Sequence, residues 1–172
     1  MTRGAPKPDV DVWICDFADA DDRAAFARLM AEFAAEPVSG APELGVAHFG
    51  GVAEDLARRA GTLVLLAARA ESEQAEGVLI AFEGYSSFAR AQLFNIHDVH
   101  VAPAARGMGV GTAMVEMLAE LGRVHRFEKI TLEVAASNTG AIRLYRRLGF
   151  TGLDGLPVEA SAGVTYFAKK KL

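Results

Sequence analysis

The residue types best suited to binding chemistry form a glycine-rich stretch in the second half of the chain. Gly107, Gly109 and Gly111 alternate with other residues immediately before a predicted helix. Because glycine lacks a Cβ atom, a ligand can approach this backbone closely, and the first N–H groups of a helix have no intrahelical partners. Together with the helix dipole, these donors favour an anion such as a pyrophosphate. A glycine string by itself is equally compatible with a simple turn.

The residues on either side extend this candidate loop. A strand that includes Val99 to Val101 precedes it, Arg106 stands at its start, and Val110 and Thr112 would begin the helix. A dinucleotide-binding motif is the main rival, but that motif places its glycines after the first strand of a βαβ unit. This loop follows several predicted strands, so it fits that fold poorly.

Titratable side chains near the loop are candidates for proton transfer, namely His97, Asp98, Glu133 and Tyr145. Histidine and carboxylate groups can accept a proton, and a tyrosine hydroxyl can donate one. The alternation of a strand would put His97 on one face and Asp98, with His100, on the other. We therefore expect at most one of these sets to face a substrate. Polar packing for the histidines and a solvated carboxylate for Glu133 remain open alternatives.

Hydrophobic periodicity predicts a mixed order of strands and helices around these residues. Alternation predicts strands at 10–15, 62–69, 77–85, 91–101 and 129–134, with closing strands at 150–153 and 164–168. Helical spacing predicts helices from the Asp19 cap to about Glu36, at about 52–59, from the glycine loop onward, and from the Asn138 cap to Gly149. The segment 37–51, with two prolines and four glycines, predicts a loop that borders a substrate site.

Composition limits the remaining possibilities. Residues 1–9 predict a flexible tail, and 10–172 have the length of a single domain. A formal net charge of -4 supplies no basic field for nucleic acid. The single cysteine excludes an internal disulfide, no Cys/His spacing predicts a metal site, and no apolar run approaches the length of a membrane span. We therefore expect a cytoplasmic protein with no nucleic-acid or membrane partner and no metal.

Two motifs together resemble one known family. The series Arg106-x-x-Gly109-x-Gly111 resembles the Q/R-x-x-G-x-G/A pyrophosphate signature of the GNAT N-acetyltransferases. A second series, from Asn138 through Ala141 to Tyr145 and ending in Gly-Phe, resembles that family's N-x-x-A-x-x-x-Y block. The close resemblance spans residues 93–150, and the N-terminal half agrees only in the order of strands and helices.

The resemblance implies both a fold and a co-substrate. The implied fold is α/β, with a central and mostly antiparallel sheet that is flanked by helices and splays into a V after Val101. The implied co-substrate is acetyl-CoA, with its pyrophosphate on the loop and its pantetheine arm on the preceding strand. By the resemblance, the residues that bind it are Val99, His100, Val101, Arg106, Gly107, Met108, Gly109, Val110, Gly111, Thr112, Asn138, Ala141 and Tyr145.

The resemblance also implies amine acetylation, with Tyr145 as the acid that protonates the leaving thiolate. Glu133 matches a glutamate of the protein N-terminal alanine acetyltransferases, whereas His97-Asp98 stands where spermidine/spermine-like acetyltransferases carry a Glu-Asp pair. The base is therefore Glu133, His97 or Asp98. Tyr85 to Phe88 resembles a further polyamine-type element.

The expected acceptor is a small primary amine, such as a diamine, a polyamine or an amino acid derivative. A protein N-terminus is the first alternative, suggested by the match at Glu133. The second alternative is a non-catalytic acyl-CoA-binding regulatory module. Pairing into homodimers, frequent in the resembled family, is also expected.

Overall fold

The computed structural model describes residues 9–37, 39, 41, 43–154 and 163–172. The tail predicted for residues 1–9 lies outside the described residues, except for Asp9. Strands and helices alternate as a mixed α/β chain, which confirms the predicted fold class.

The described strands form one sheet whose spatial order equals their order in the sequence. Only the β4–β5 pair is parallel, and the other neighbours are antiparallel. The strands are β1 (Val10–Ile14), β2 (Thr62–Arg69), β3 (Gly77–Ser86), β4 (Ala91–Val101), β5 (Lys129–Ala135) and β6 (Thr165–Lys171).

Four α-helices cover the sheet within the described ranges, namely α1 (Ala20–Ala34), α2 (Val46–Arg58), α3 (Val110–Val124) and α4 (Thr139–Arg147). The Asp19 side chain accepts hydrogen bonds from the amides of Asp21 and Asp22, and so caps α1 as predicted. The Asn138 side chain accepts one from Ala141 N and caps α4. After α4, Gly149 has a φ of 83°, as a glycine that ends a helix commonly does.

Two predicted elements were wrong. Helix α2 begins at Val46 rather than near 52, because its interior glycines are tolerated where Phe49 and Ala53 bury one face of the helix. No strand forms at 150–153, where a single bridge joins Thr151 to Lys169. Gly152 has a φ of 94°, which interrupts the extended backbone there.

A hydrophobic core lies on each face of the sheet. Helices α3 and α4 pack on one face, where Met114 and Leu118 are fully buried with Ile130 of β5. Helices α1 and α2 pack on the other, where Phe26 and Leu29 contact the core that includes Val78 of β3. Strands in the middle of the sheet are therefore covered on both sides.

The sheet splits between its two parallel strands. Strand β4 pairs with β5 only from Leu93–Lys129 to Ile96–Leu132. Beyond that point β4 remains bonded to β3, and β5 to β6. This confirms the V-shaped splay, which begins after Ile96 and thus earlier than the predicted position after Val101.

Candidate active site

A cavity of about 960 Å³ occupies the gap between the splayed strands. Its walls come from the ends of β4 and β5, the glycine loop, α4 and the end of α1. The cavity brings together all the predicted site residues except Met108, namely His97, Asp98, Val99, His100, Val101, Arg106, Gly107, Gly109, Val110, Gly111, Thr112, Glu133, Asn138, Ala141 and Tyr145. Met108 instead contacts the guanidinium of Arg69, with 3.0 Å between Sδ and Nη1.

The glycine loop presents free backbone donors to this cavity. Gly107 and Gly109 have φ values of 76° and 90°, in the left-handed region that favours glycine. Ala113 N donates to Gly109 O at 2.9 Å and so makes the first hydrogen bond of α3. Among the described residues, no intramolecular acceptor is found for the amides from 109 to 112. These amides lie at the positive end of α3, an arrangement that favours an anion.

Close packing of the loop depends on Gly111. A Cβ atom at this position would lie 3.3 Å from Leu144 Cδ2 and 3.6 Å from Val101 Cγ2. The missing side chain therefore lets the first turn of α3 approach both β4 and α4. This contact sets the distance between the donor amides and the helix that carries Tyr145.

Arg106 does not extend freely into the cavity. Its Nε donates to Val101 O at 3.0 Å, and its Nη2 donates to the carboxylate of Glu36. Glu36 follows the C-terminus of α1, so this ion pair joins that helix end to the glycine loop. The side chain of Arg106 is about half exposed and remains accessible to an anion in the cavity.

His100 lies on the α1 side of the sheet with its side chain almost fully buried. Its Nδ1 lies 3.1 Å from Glu36 Oε1, and its Nε2 lies 3.5 Å from Glu32 Oε2. Burial lowers the pKa of the imidazole from its ordinary value, and the two carboxylates only partly offset this effect. His100 is therefore a packed polar residue that supports Glu36 and, through it, Arg106.

A β-bulge changes the predicted faces of His97 and Asp98. Ile80 pairs with Asp98 and Ala81 pairs with Ile96, so His97 is the extra residue in β4. The prediction that His97 and Asp98 face opposite ways was wrong, because the bulge shifts the alternation by one residue. His97 Nδ1 lies 3.0 Å from Asp98 Oδ2, and both side chains reach the cavity.

Glu133 lies on the other side of the gap. It is the first residue of β5 beyond the last β4–β5 pair, and it is exposed. Its neighbour on the same face, Thr131, is buried and accepts a hydrogen bond from Asn95 Nδ2 at 2.9 Å. Glu133 therefore extends from the sheet face on which His97 and Asp98 also lie.

Tyr145 enters the gap from α4. Its ring packs 5.3 Å from that of Phe150, and the residue is only 5% exposed. Burial raises the pKa of the phenol above its ordinary value, so the hydroxyl stays protonated at neutral pH. The predicted packing role and the predicted place beside the cavity are thus compatible.

Several cavity residues had no sequence prediction. The last turn of α1 and the residues after it contribute Phe33, Glu36 and Pro37, and α4 contributes Arg143 and Leu144. Glu36 and Arg106 are 70 positions apart in the chain, so no local pattern connects them. Arg143 had a usable signal, because it lies in the same helical block as Ala141 and Tyr145.

Two further features of the described residues bear on function. Among the described residues, no group of three or more His, Cys, Asp or Glu side chains could hold a metal ion. In the same part of the chain, no helix has the length and apolar character needed to span a membrane.

Comparison with known proteins gives a family match and several partial relatives. Residues 26–150 match the family described as Acetyltransferase (GNAT) family. Streptothricin acetyltransferase of Streptomyces lavendulae is 37% identical over 90 residues, which is 51% of this chain and 48% of that protein. The N-alpha-acetyltransferase RimI of Mycobacterium tuberculosis is 33% identical over 76 residues, covering 43% of this chain and 46% of that protein. The chain thus spans about half the length of these relatives.

The fold is also found among solved structures. An acetyltransferase of Salmonella typhimurium, determined with its cofactor acetyl-CoA, superposes with a TM-score of 0.68 at 19% identity. The match covers 94% of this chain and 93% of that one. At this level of identity, the likeness concerns the fold.

Proposed function

Because the chain belongs to the acetyltransferase (GNAT) family, we propose that it is an acetyl-CoA-dependent N-acetyltransferase that acetylates a primary amine of a small molecule. One observation carries the proposal. A single cavity joins the free amides of the glycine loop to Tyr145 on one side and to Glu133, His97 and Asp98 on the other. It therefore combines an anion site with groups that can accept and donate protons.

The residues of the cavity fit acetyl-CoA. The free amides that begin α3 would hold the pyrophosphate, with Arg106 beside them as a cation. Beyond Ile96 the edge of β4 no longer pairs with β5, so the backbone around Val99 can pair with an extended amide chain such as the pantetheine arm, whereas Val101 O already accepts from Arg106 Nε. When bound, acetyl-CoA supplies an acyl thioester whose carbonyl carbon an amine can attack.

The proton chemistry is assigned to the side chains around the gap. An ammonium has no lone pair, so a base must take a proton from the acceptor. We assign this role to His97 Nε2, because Asp98 occupies Nδ1 and would hold the ring in place. Glu133, across the gap, would attract the ammonium before it is deprotonated. Glu133 as base, directly or through a water, is the alternative.

Tyr145 is assigned the role of acid. As the amine nitrogen would form its bond to the carbonyl carbon, the carbon–sulfur bond would break and the hydroxyl of Tyr145 would give its proton to the sulfur. The second proton, which the nitrogen loses as it becomes an amide, would return to the Tyr145 oxygen through solvent. A tyrosine hydroxyl carries its proton at neutral pH, and burial raises its pKa further because the charged form is desolvated. Its ring is fixed by Phe150, so the hydroxyl is held in position.

The acceptor is assigned as a small amine on two grounds. Streptothricin acetyltransferase, one of the partial relatives, is named for streptothricin rather than for a protein acceptor. The carboxylates of Asp98 and Glu133 supply negative charge where an amine would enter. A protein N-terminus is the second candidate, favoured by the similarity to RimI and by Glu133.

An amine panel tests the proposal. Acetyl-CoA consumption would be measured with diamines, polyamines and amino acid derivatives, and separately with peptides whose N-termini are free. Turnover of small amines supports the first candidate, and turnover of peptides alone supports the second. Acetyl-CoA binding without turnover of any amine would instead indicate an acyl-CoA-binding regulatory module and overturn both. We also propose that residues 10–172 form a single domain, that the protein is cytoplasmic and that it forms a homodimer.

A further inference from the structure

One face of β5 and β6 carries a row of exposed side chains that leads away from the cavity. Cross-strand pairing places Glu133 opposite Phe167, and Thr131 opposite Lys169. Glu133, Phe167 and Lys169 are exposed, whereas Leu132 and Ala168, on the reverse face, are buried. The row is continuous with the cavity, because Glu133 belongs to both.

Phe167 is an apolar surface beside this charged group. It is 57% exposed, and single exposed rings are common on protein surfaces. Phe167 lies directly opposite Glu133, and directly opposed residues of antiparallel strands have Cβ atoms about 5 Å apart. An amine that pairs with Glu133 would therefore have its carbon skeleton within reach of this ring.

Lys169 adds a cation on the same face. Diagonal neighbours in an antiparallel pair lie about 7–8 Å apart, which is the relation between Glu133 and Lys169. Among the described residues Lys169 forms no side-chain ion pair, and its backbone bonds with Thr151 do not involve the ammonium. Lys170 points to the reverse face, where its Nζ donates to Leu148 O.

We propose that Glu133, Phe167 and Lys169 form the acceptor subsite, and that the acceptor is a primary amine with an anionic group at the far end of a short apolar skeleton. This inference rests on the proposed function and narrows it to the amino acid derivatives. The ammonium lies at Glu133, the skeleton on Phe167 and the anion at Lys169. A diamine or polyamine would instead bring a second ammonium against the lysine, where like charges repel.

Matched triplets of short primary amines test the charge requirement. The members of each triplet share a chain and end in a carboxylate, a carboxamide or a second ammonium. We expect kcat/KM to be about fivefold higher for the carboxylate than for the carboxamide, and lowest for the diamine, because Lys169 is exposed and an exposed ion pair changes an affinity by up to about fivefold. Lys169→Met should remove most of the difference between the carboxylate and the carboxamide, a ratio that is measured within the one variant.

Lys170→Met is the matched control for this variant. It removes the same charge from the neighbouring position on the opposite sheet face, so the preference for the carboxylate should persist. Thermal melts of both variants would separate a loss of folding from a loss of preference. A preference for diamines, or a carboxylate preference that survives Lys169→Met, would overturn the inference.

The role of Phe167 is tested by comparing the KM for the acceptor with the KM for acetyl-CoA. Phe167→Ala should raise the KM for the acceptor about tenfold, because the ring would bury apolar surface of the acceptor skeleton, and leave the KM for acetyl-CoA unchanged. Phe167→Leu should restore much of the loss. An unchanged acceptor KM in Phe167→Ala contradicts the subsite. Turnover of small amines without any charge preference removes this inference alone, whereas acetyl-CoA binding without turnover of any amine removes the proposed function as well.

Discussion

Ile96 and Leu132 form the last pair of the parallel β4–β5 ladder, and the residue that follows each of them is a candidate base. His97 lies on one edge of the resulting gap and Glu133 on the other. The end of one ladder thus positions both groups, and the width of the gap separates them. Their roles can therefore be distinguished by substituting each in turn.

His97→Gln should reduce kcat about 100-fold, because a glutamine cannot accept the proton. Glu133→Gln should mainly raise the KM for the amine, since it removes a charge that attracts the ammonium. The pH dependence of kcat and of kcat/KM, measured for both variants, checks the assignment. The reverse pattern would identify Glu133 as the base.

Gly109→Asp should weaken acetyl-CoA binding by at least about 100-fold. A carboxylate about 4 Å from a phosphate charge is repelled by about 4 kcal/mol at an effective dielectric constant of 20. Gly109→Asn is the matched control, because asparagine is similar in shape, is neutral and tolerates the left-handed backbone of this position. Titration calorimetry should show a much smaller loss for Asn, and equal losses would remove the anion site from the loop.

Tyr145→Phe should lower kcat by about 100-fold and leave the affinity for acetyl-CoA nearly unchanged. The ring contact with Phe150 survives this substitution, so the melting temperature should change little. Tyr166→Phe, a tyrosine of β6 outside the cavity lining, serves as the control and should retain full activity. A wild-type rate in Tyr145→Phe would exclude this hydroxyl as the acid.

Protonation of His100 should reduce stability in mild acid. Burial holds the folded-state pKa below the unfolded value of about 6.5, so between these two values the unfolded chain binds more protons. Stability should therefore fall as the pH drops below about 6.5. The carboxylates of Glu36 and Glu32 raise the pKa of His100 and only partly offset the effect of burial, and the charge of Arg106 lowers this pKa further.

The measurement is the melting temperature as a function of pH, in the wild type and in His100→Asn. The variant should lose less stability than the wild type over this interval. His125→Asn is the matched control, because it replaces a histidine that is exposed rather than buried. The prediction fails if His100→Asn and the wild type have parallel profiles.

Substitution by alanine should have opposite effects on stability at Gly77, which packs against α3, and at Gly122, which lies within α3. At Gly77 a Cβ atom would lie 2.7 Å from Val110 Cγ1 and 2.8 Å from Met114 Cε, so Gly77→Ala should cost about 1–3 kcal/mol of unfolding free energy through overpacking. At Gly122 the clash is with Leu172, a flexible side chain that can move, and alanine gains about 1 kcal/mol of helix propensity. Denaturant titrations should give clearly different midpoints. Similar midpoints would contradict the packing argument.

Much of the secondary structure could be predicted from the sequence, because it depends on interactions between residues close together in the chain. The Asp19 and Asn138 caps, the glycine loop and the alternation of β2 to β4 depend on neighbours a few residues apart, and the structure agrees with each. The two misjudged segments involve glycines. Gly50 and Gly51 lie inside α2, where tertiary burial outweighs their weak helix propensity.

The sequence by itself determined most of the order of the elements, the glycine-rich turn before α3 and the set of titratable side chains, since each follows from short-range geometry. Only the tertiary structure decided how these groups meet. The bulge at His97, the end of the β4–β5 ladder and the contact between Glu36 and Arg106 each depend on pairing between distant segments. Such pairing depends on the packing of the whole sheet, so it cannot be predicted from the alternation of residues within a single strand.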